Sequence, residues 1–432
     1  MAKKTEHENG PSQRVVILGG GFGGLGAAKE LGDAPVEVVL ADRHDYHTFQ
    51  PLLYQLATGL LETTAVGHSL RDLVHDQDNT TVHKATATGI DLAAREVQFD
   101  ELKPLAYDFL VLGLGAEVNF FGTSGAAEHA FPMYTLPDAV RLKNHILERW
   151  EAADRDPSLV DDGALNVVVV GGGPTGVETA GAMAELYRAD LARDYQKVEQ
   201  EQARVILVEG GPDLFPMFKQ NLRDYALEAL EKRTVEVVTG ERVESVAPTR
   251  VTLKSGQVLK THTLVWGAGL QANALVRSLG LELGRGNRIG VGPELDLTDH
   301  PEVYVVGDIA AITDAKTEQV LPQLGSVALQ SGEHAGKTIA RRIAGKPTKP
   351  FSYRDKGTMA TIGRGAAVVQ MLGGRTMKGV KAQAAWGAVH LALLPTNEDR
   401  AKAVIDWAGA ALTHQRVGRI TVEADEVGAG RE

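Results

Sequence analysis

The sequence predicts an α/β protein that carries one strand–turn–helix–strand device twice and ends in an amphipathic helical region. Three observations lead there. Arg14 to Asp42 reads strand, glycine turn, helix, strand, acid; Asn166 to Glu209 repeats that order; and past Val380 two helical stretches, parted by Pro395, each carry an apolar face.

In the first copy, Val15 to Leu18 is the short apolar run that a buried parallel strand requires. Gly19, Gly21 and Gly24 follow at GxGxxG spacing. The first allows a tight turn, the second lets backbone N–H groups approach a pyrophosphate, and the third lets the helix lie close to the strand. Gly23 to Leu31 is helical, with Gly24, Ala27 and Ala28 where a helix must approach a sheet. Val36 to Leu40 is the next strand, and Asp42 at its end can accept hydrogen bonds from two ribose hydroxyls.

Tyr46 to Pro51 then reads as loop, and Pro51 to Leu61 as apolar and helical. Thr81 to Phe99 alternates like small antiparallel strands. Tyr107 to Ala116 is a buried strand whose Gly113 and Gly115 suit a backbone pressed against a ligand.

The second copy uses Gly171, Gly173 and Gly176, a helix over Val177 to Leu191 with Ala180, Gly181 and Ala184 facing the sheet, and a strand over Arg204 to Val208 closed by Glu209. Tyr187 to Gln202 reads as a helical extension. Glu209 can hold a 2′-hydroxyl and repels a 2′-phosphate, and no arginine stands beside it in Gly210-Gly211, so this site is expected to prefer NADH over NADPH. A solvated strand end is the alternative. Two such devices make two dinucleotide-binding, Rossmann-like domains. Later, an apolar strand ends at Gly307-Asp308, where a carboxylate can meet flavin ribityl hydroxyls or cap a helix.

Composition excludes several classes. A net charge of −11 argues against nucleic acid as a partner, and the absence of cysteine removes disulfides, thiolate metal sites and thiol relays. The thirteen histidines show no metal-ligand spacing, so no catalytic metal is expected. Residues 1–13 read as a polar, flexible tail without a signal-peptide core, and the run Ala384 to Leu394 falls short of the ~20 residues of a spanning helix.

GGGFGGLGAAKEL, the stretch DxxxYHxFQPLLYQLATG from Asp42, VVVVGGGPTGVETAGAMAEL, TLVWGAGL, VYVVGDIA and DKGTMATIGR together resemble type II NADH dehydrogenases, in the expected order from about Arg14 to about His414. The resemblance implies a flavoprotein of the glutathione reductase type that passes a hydride from NADH to FAD and two electrons to a quinone, without proton pumping. It implies FAD-binding parts at 14–160 and 273–348, an NADH-binding insertion at 161–272, and a membrane-docking, dimerising region at 349–432. It places FAD against Gly19, Gly21, Phe22, Gly23, Gly24, Asp42, Arg43, Gln50, Ala116, Gly307, Asp308 and Leu329. It places NADH against Gly171, Gly173, Pro174, Thr175, Gly176, Glu178, Glu209, Gly210, Ala268 and Gly269.

Glu178 matches a glutamate near nicotinamide and flavin; by position it reads as a first-turn partner of the helix dipole. The family's quinone-site AQxAxQ pattern is met by Gln330, but Ser326 stands where the first glutamine is expected and Gln323 is out of register. The helix there is expected over Ser326 to Ile343, its N-terminus toward the flavin's N1/C2=O edge. Gln330 and Lys356 are candidates to orient the quinone, and Glu178 to supply a proton.

The C-terminal faces hold Trp386, Val389 and Leu393, then Ala401, Val404, Ile405, Ala408, Ala411 and Leu412 beside Trp407. Thr396 with Asp399 resembles a capping box. Alanines bury little area at ~25 cal/mol per Å², so weak peripheral attachment to the cytoplasmic side of a membrane is expected, with packing in a homodimer as the other reading. Two other functions stay open: a soluble NADH:acceptor reductase of the diaphorase or ferredoxin type, and a slow NADH-sensing flavoprotein.

Overall fold

The computed structural model describes residues 13–195, 197–198, 202–413, 416 and 418–421, and the expected N-terminal tail lies almost wholly outside them. The chain divides into two compact units, each assembled from separated segments: 1–47, 68–117 and 270–354 in one, 48–67, 118–269 and 355–432 in the other. The second unit thus joins 118–160 and the C-terminal region to the second glycine device.

In the first unit, a six-stranded sheet has the order Asp296–Leu297, His300–Val305, Phe109–Leu112, Arg14–Leu18, Glu37–Asp42, Thr80–Lys84. Its inner strands are parallel, with Val15 beside Val38 and Phe109, and Val303 beside Leu110. Val15, Val16 and Ile17 are fully buried, as strands covered on both faces must be. Thr80–Lys84 is a parallel edge strand of this sheet, against the expectation of small antiparallel strands there; Ala87–Asp91 and Glu96–Phe99 do pair that way, in a three-stranded sheet with Leu105–Ala106. The alternating pattern of Thr81 to Phe99 is therefore split between an edge strand, half-covered like an antiparallel one, and a true hairpin.

Phe22–Leu31 packs on this sheet and also against Gly325–Ile343, one residue longer than expected. Glycine makes the second contact possible. A Cβ at Gly332 would lie 1.8 Å from the Gly23 carbonyl oxygen, and one at Gly336 would lie 2.6 Å from that of Ala27. Gly113 allows a similar approach. A Cβ there would lie 3.2 Å from the Gly24 nitrogen, so this strand end also lies close to the first helix.

In the second unit, a parallel sheet has the order Ala130–Pro132, Thr263–Trp266, Val167–Val170, Val205–Glu209, Val235–Thr239. The helix Pro174–Glu185 leads into a π-helical turn over Leu186–Leu191 and a last turn at Ala192–Asp194. The helical extension expected to Gln202 ends there among the described residues. Gly181 does not face the parallel sheet: its Cβ would lie 1.8 Å from the Ile362 carbonyl oxygen, in an antiparallel sheet of Thr358–Gly363, Ala366–Gln370 and Thr376–Lys378. The helices Val380–Leu393 and Asn397–Thr413 complete this unit. Thr396 does cap the second: its Oγ1 accepts from Asp399 N at 3.1 Å and donates to the Asp399 carboxylate at 2.5 Å.

Two glycine turns and a buried carboxyl

The two glycine turns are built alike. Gly19 and Gly171 have φ of +102° and +113°, a conformation that side chains resist. A Cβ at Gly24 would lie 1.8 Å from the Gly19 carbonyl oxygen, and one at Gly176 would lie 1.8 Å from that of Gly171, so each helix begins pressed against its own turn. Gly21 and Gly173 differ: a Cβ on either meets nothing within 4 Å. Both are N-cap residues without a side-chain cap, on helices that have no acidic residue in the first turn. Open space in front of uncapped N–H groups is what a pyrophosphate needs.

Each turn is tied to its strand-end acid. Asp42 Oδ2 accepts from Gly20 N at 2.6 Å, and its Oδ1 accepts from His44 N at 2.7 Å. Glu209 accepts from Gly172 N and, through its other oxygen, from Gly211 N at 2.5 Å. Each carboxylate oxygen keeps a lone pair for a ribose hydroxyl. Arg43 is exposed beside the first acid. Near the second, the expectation of no neighbouring arginine holds only along the chain. Folding carries Arg242 over Gly210, where a Cβ would lie 3.2 Å from its Nε.

Sequence reasoning missed His47. It is buried, and its Nδ1 lies 2.9 Å from the Gly20 carbonyl oxygen, which only an N–H can satisfy. Burial pushes its pKa down to about 4, so the ring is neutral, and it sits edge-on to Phe22 at 4.9 Å. His47 thus holds the first glycine turn from behind. The motif YHxFQ contained the residue, but nothing in its spacing tied it to Gly20.

Gly307 has φ of +70° and donates to the Ser331 hydroxyl at 3.1 Å; Asp308 follows in the short turn Gly307–Ile309. The Asp308 carbonyl accepts from Gln323 at 3.0 Å, so Gln323 braces this turn. Phe22 covers Gly325 at the start of the next helix, whose first turn has no acid and whose last holds Arg341 and Arg342. The two expected quinone residues on that helix are engaged within the protein. Ser326 Oγ lies 2.9 Å from the Tyr353 hydroxyl, and Gln330 both donates to and accepts from the Arg354 backbone, at 3.1 and 3.0 Å. Leu329 and Ala116 lie partly and fully buried in the same unit.

In the second unit, Glu178 lies in the second turn of Pro174–Glu185, not the first. It is therefore no partner of the helix dipole. It is buried, and its Oε1 accepts from Thr361 N at 3.1 Å. Burial pushes its pKa up to about 8, against the lowering effect of Thr361 and of Trp386, whose indole N–H faces the carboxyl without completing a hydrogen bond. Thr175 accepts from Thr179 at 2.6 Å, and Gly269, at φ of +70°, lies under the Phe121 ring. Gln50 donates to the Tyr134 carbonyl at 3.2 Å, and Lys356 is exposed.

Two glycine turns of this kind on one chain, with no cysteine anywhere, define an oxidoreductase of two nucleotide cofactors that works without a thiol of its own. Residues 13–332 match the family described as pyridine nucleotide-disulphide oxidoreductase. A type II NADH:quinone oxidoreductase of Mycobacterium tuberculosis is 36% identical over 425 residues, covering 95% of this chain and 90% of its own. One from Staphylococcus saprophyticus is 30% identical over 379 residues, 86% and 92% of the two chains. Among solved structures, NDH2 from Plasmodium falciparum in complex with NADH superposes with a TM-score of 0.87 over 95% of this chain and all of that one, at 19% identity. The chain belongs to the type II NADH:quinone oxidoreductases.

Proposed function

We propose that this protein oxidises NADH and reduces a quinone, holding FAD at the Gly19 turn and NADH at the Gly171 turn, without pumping protons. FAD held there would supply the two-electron carrier between the nicotinamide and the quinone. The observation that carries the reading is the duplicated cradle: open space at Gly21 and Gly173, each in front of an uncapped helix N-terminus and beside an anchored acid.

The chain's own residues supply binding and orientation. The N–H groups after Gly21 and Gly173 take the two pyrophosphates, and Asp42 and Glu209 take the adenosine riboses. Asp308 faces the ribityl chain from a turn that Gln323 and Ser331 hold rigid. The acid-free N-terminus of Gly325–Ile343 offers a partial positive charge where negative charge gathers on reduction. Glu178, neutral at pH 7, is a proton store for the quinone's oxygens. Ser326 and Gln330 reach a headgroup only by exchanging their present partners Tyr353 and Arg354, and Lys356 is free to reorient.

Among the described residues no helix is long and apolar enough to cross a membrane. The C-terminal helices support peripheral docking instead. Val389, Leu393, Val404, Ile405 and Leu412 are exposed, whereas Trp386, Ala382, His390 and Ala403 turn inward. The expected grouping of Trp386 with Val389 and Leu393 on one face is thus divided between core and surface. We assign the exposed set to weak attachment at the cytoplasmic side of the membrane and to a homodimer contact. The test is to give purified holoenzyme NADH and a short-chain quinone, with and without liposomes. Turnover above about 1 s⁻¹ supports the reading; reduced flavin that persists with quinone present rejects it.

A further inference from the structure

Ser326 and Gln330 stand one turn apart on Gly325–Ile343, and both face the segment Tyr353-Arg354. Gln330 makes a two-point clamp: its Nε2 donates to the Arg354 carbonyl at 3.1 Å, and its Oε1 accepts from Arg354 N at 3.0 Å. A side-chain amide that pairs with both main-chain groups of one residue is fixed in orientation, because the N–H can only donate and the C=O can only accept. The residue beside the clamp is Tyr353, half-buried against the core of the first unit. Its hydroxyl lies 2.9 Å from Ser326 Oγ.

This hydroxyl pair stands at the end of the helix that abuts the first glycine turn. Ser326 is the second residue of a helix with no acid in its first turn and no side-chain cap. A Cβ at Gly325 would lie 3.4 Å from the Phe22 ring, and one at Gly307 would lie 3.4 Å from Ala328. The helix start thus touches both Phe22, which follows the open space at Gly21, and the turn that carries Asp308. The bond to Tyr353 is the only one that the Ser326 side chain makes among the described residues, so the serine proton is given to the phenol oxygen. A phenol that accepts one hydrogen bond becomes a stronger donor in its turn.

We propose that Tyr353 donates the hydrogen bond to the quinone's carbonyl oxygen, and that Ser326 and Gln330 are positioning residues, which keep their present partners and hold the phenol in place. The step to the quinone rests on the function proposed above; the clamp around Tyr353 does not. The chemistry suits that ligand. A quinone oxygen is an acceptor that gains negative charge as electrons arrive, and a phenol O–H beside an uncapped helix N-terminus favours that charge. The two polar residues of the helix then serve the acceptor site without touching it.

The experiment compares FAD-loaded wild type with Tyr353→Phe, Ser326→Ala, Ser326→Thr, Gln330→Leu and the double variant of Ser326→Ala with Tyr353→Phe. Flavin reduced by NADH is mixed with a short-chain quinone or with ferricyanide, which has no carbonyl oxygen to hold, and the ratio of the two reoxidation rates is read. Tyr353→Phe should lower that ratio about tenfold, the size of one hydrogen bond. Ser326→Ala should lower it about threefold, Ser326→Thr, which keeps the hydroxyl, should restore it, and the double variant should fall no further than Tyr353→Phe alone. In parallel, the NMR signal of the Tyr353 ring carbon that bears the hydroxyl, identified by its loss in Tyr353→Phe, should shift in Ser326→Ala and in Gln330→Leu. An unchanged ratio in Tyr353→Phe, or losses that multiply in the double variant, would overturn the proposal. So would a drop in flavin per chain in Tyr353→Phe, which would place the phenol on FAD. A lowered ratio with an unshifted Tyr353 signal in Gln330→Leu would overturn the clamp and put Gln330 on the quinone; if that variant fails to fold, the serine and tyrosine variants decide. Wild-type flavin that quinone fails to reoxidise would overturn the proposed function, and the NMR shifts would still decide whether Ser326 and Gln330 hold Tyr353.

Discussion

Glu178 is held neutral by burial while an unfolded chain would ionise it, and this difference has a measurable sign. Its folded pKa of about 8 stands above the ordinary 4.5. Between those values the unfolded state gives up a proton that the folded state keeps, so stability falls as pH rises through the window and levels off above it. Glu178→Gln removes this loss. We expect its melting temperature to gain on wild type progressively across the window, by an amount worth up to about 5 kcal/mol at the top; parallel curves would reject the buried, neutral assignment. At Glu209 the issue is repulsion. Because Arg242 already lies over Gly210, Glu209→Gln leaves a cation beside the ribose and no opposing charge. We expect the ratio of kcat/KM for NADPH to that for NADH to rise about tenfold or more, and Glu209→Gln with Arg242→Ala to lose that gain. The sequence made the acid readable but not the arginine, since Gly210 and Arg242 meet only after two strands have folded. His47 escaped for the same reason.

At the scale of elements, glycines of identical type do opposite work. Gly332 sits where a Cβ would strike the Gly23 backbone, whereas Gly21 faces open space in extended backbone at φ −71°. Gly332→Ala should force the two helices apart and cost about 1–3 kcal/mol, lowering the melting temperature of apo and holo protein alike. Gly21→Ala should melt like wild type in the apo form and lose FAD, seen as a drop in flavin per chain; equal apo destabilisation in both would contradict the assignment. The glycine spacing announced both turns and the strands that feed them, because tight turns and close helix starts have few other solutions. It was silent on the Gly23–Gly332 crossing, whose partners lie 309 positions apart in the chain. It also sent Gly181 to the wrong sheet, since small residues mark close approach without naming what approaches. A covered edge strand such as Thr80–Lys84 reads like a hairpin strand when only one face is buried.

For the whole molecule, the exposed apolar residues at the C-terminus carry the membrane assignment. Ile405 and Leu412 are 68% and 84% exposed, and both lie on the helix that bears Trp407. Ile405→Asp with Leu412→Asp should leave NADH oxidation by a water-soluble quinone near wild type and abolish sedimentation with anionic vesicles; unchanged sedimentation would point to another surface. Amphipathic periodicity foretold these helices and their Thr396 cap. It could not say that Trp386 turns into the core, because a stripe of apolar residues looks alike whether it meets protein or lipid.

The most direct test of NADH oxidation coupled to quinone reduction is a stopped-flow record of the flavin in purified holoenzyme, mixed first with NADH and then with a short-chain quinone. We expect bleaching by NADH, far slower bleaching by NADPH, and rapid return of the oxidised spectrum on adding quinone. Flavin that NADH leaves oxidised, or that quinone leaves reduced, would contradict it.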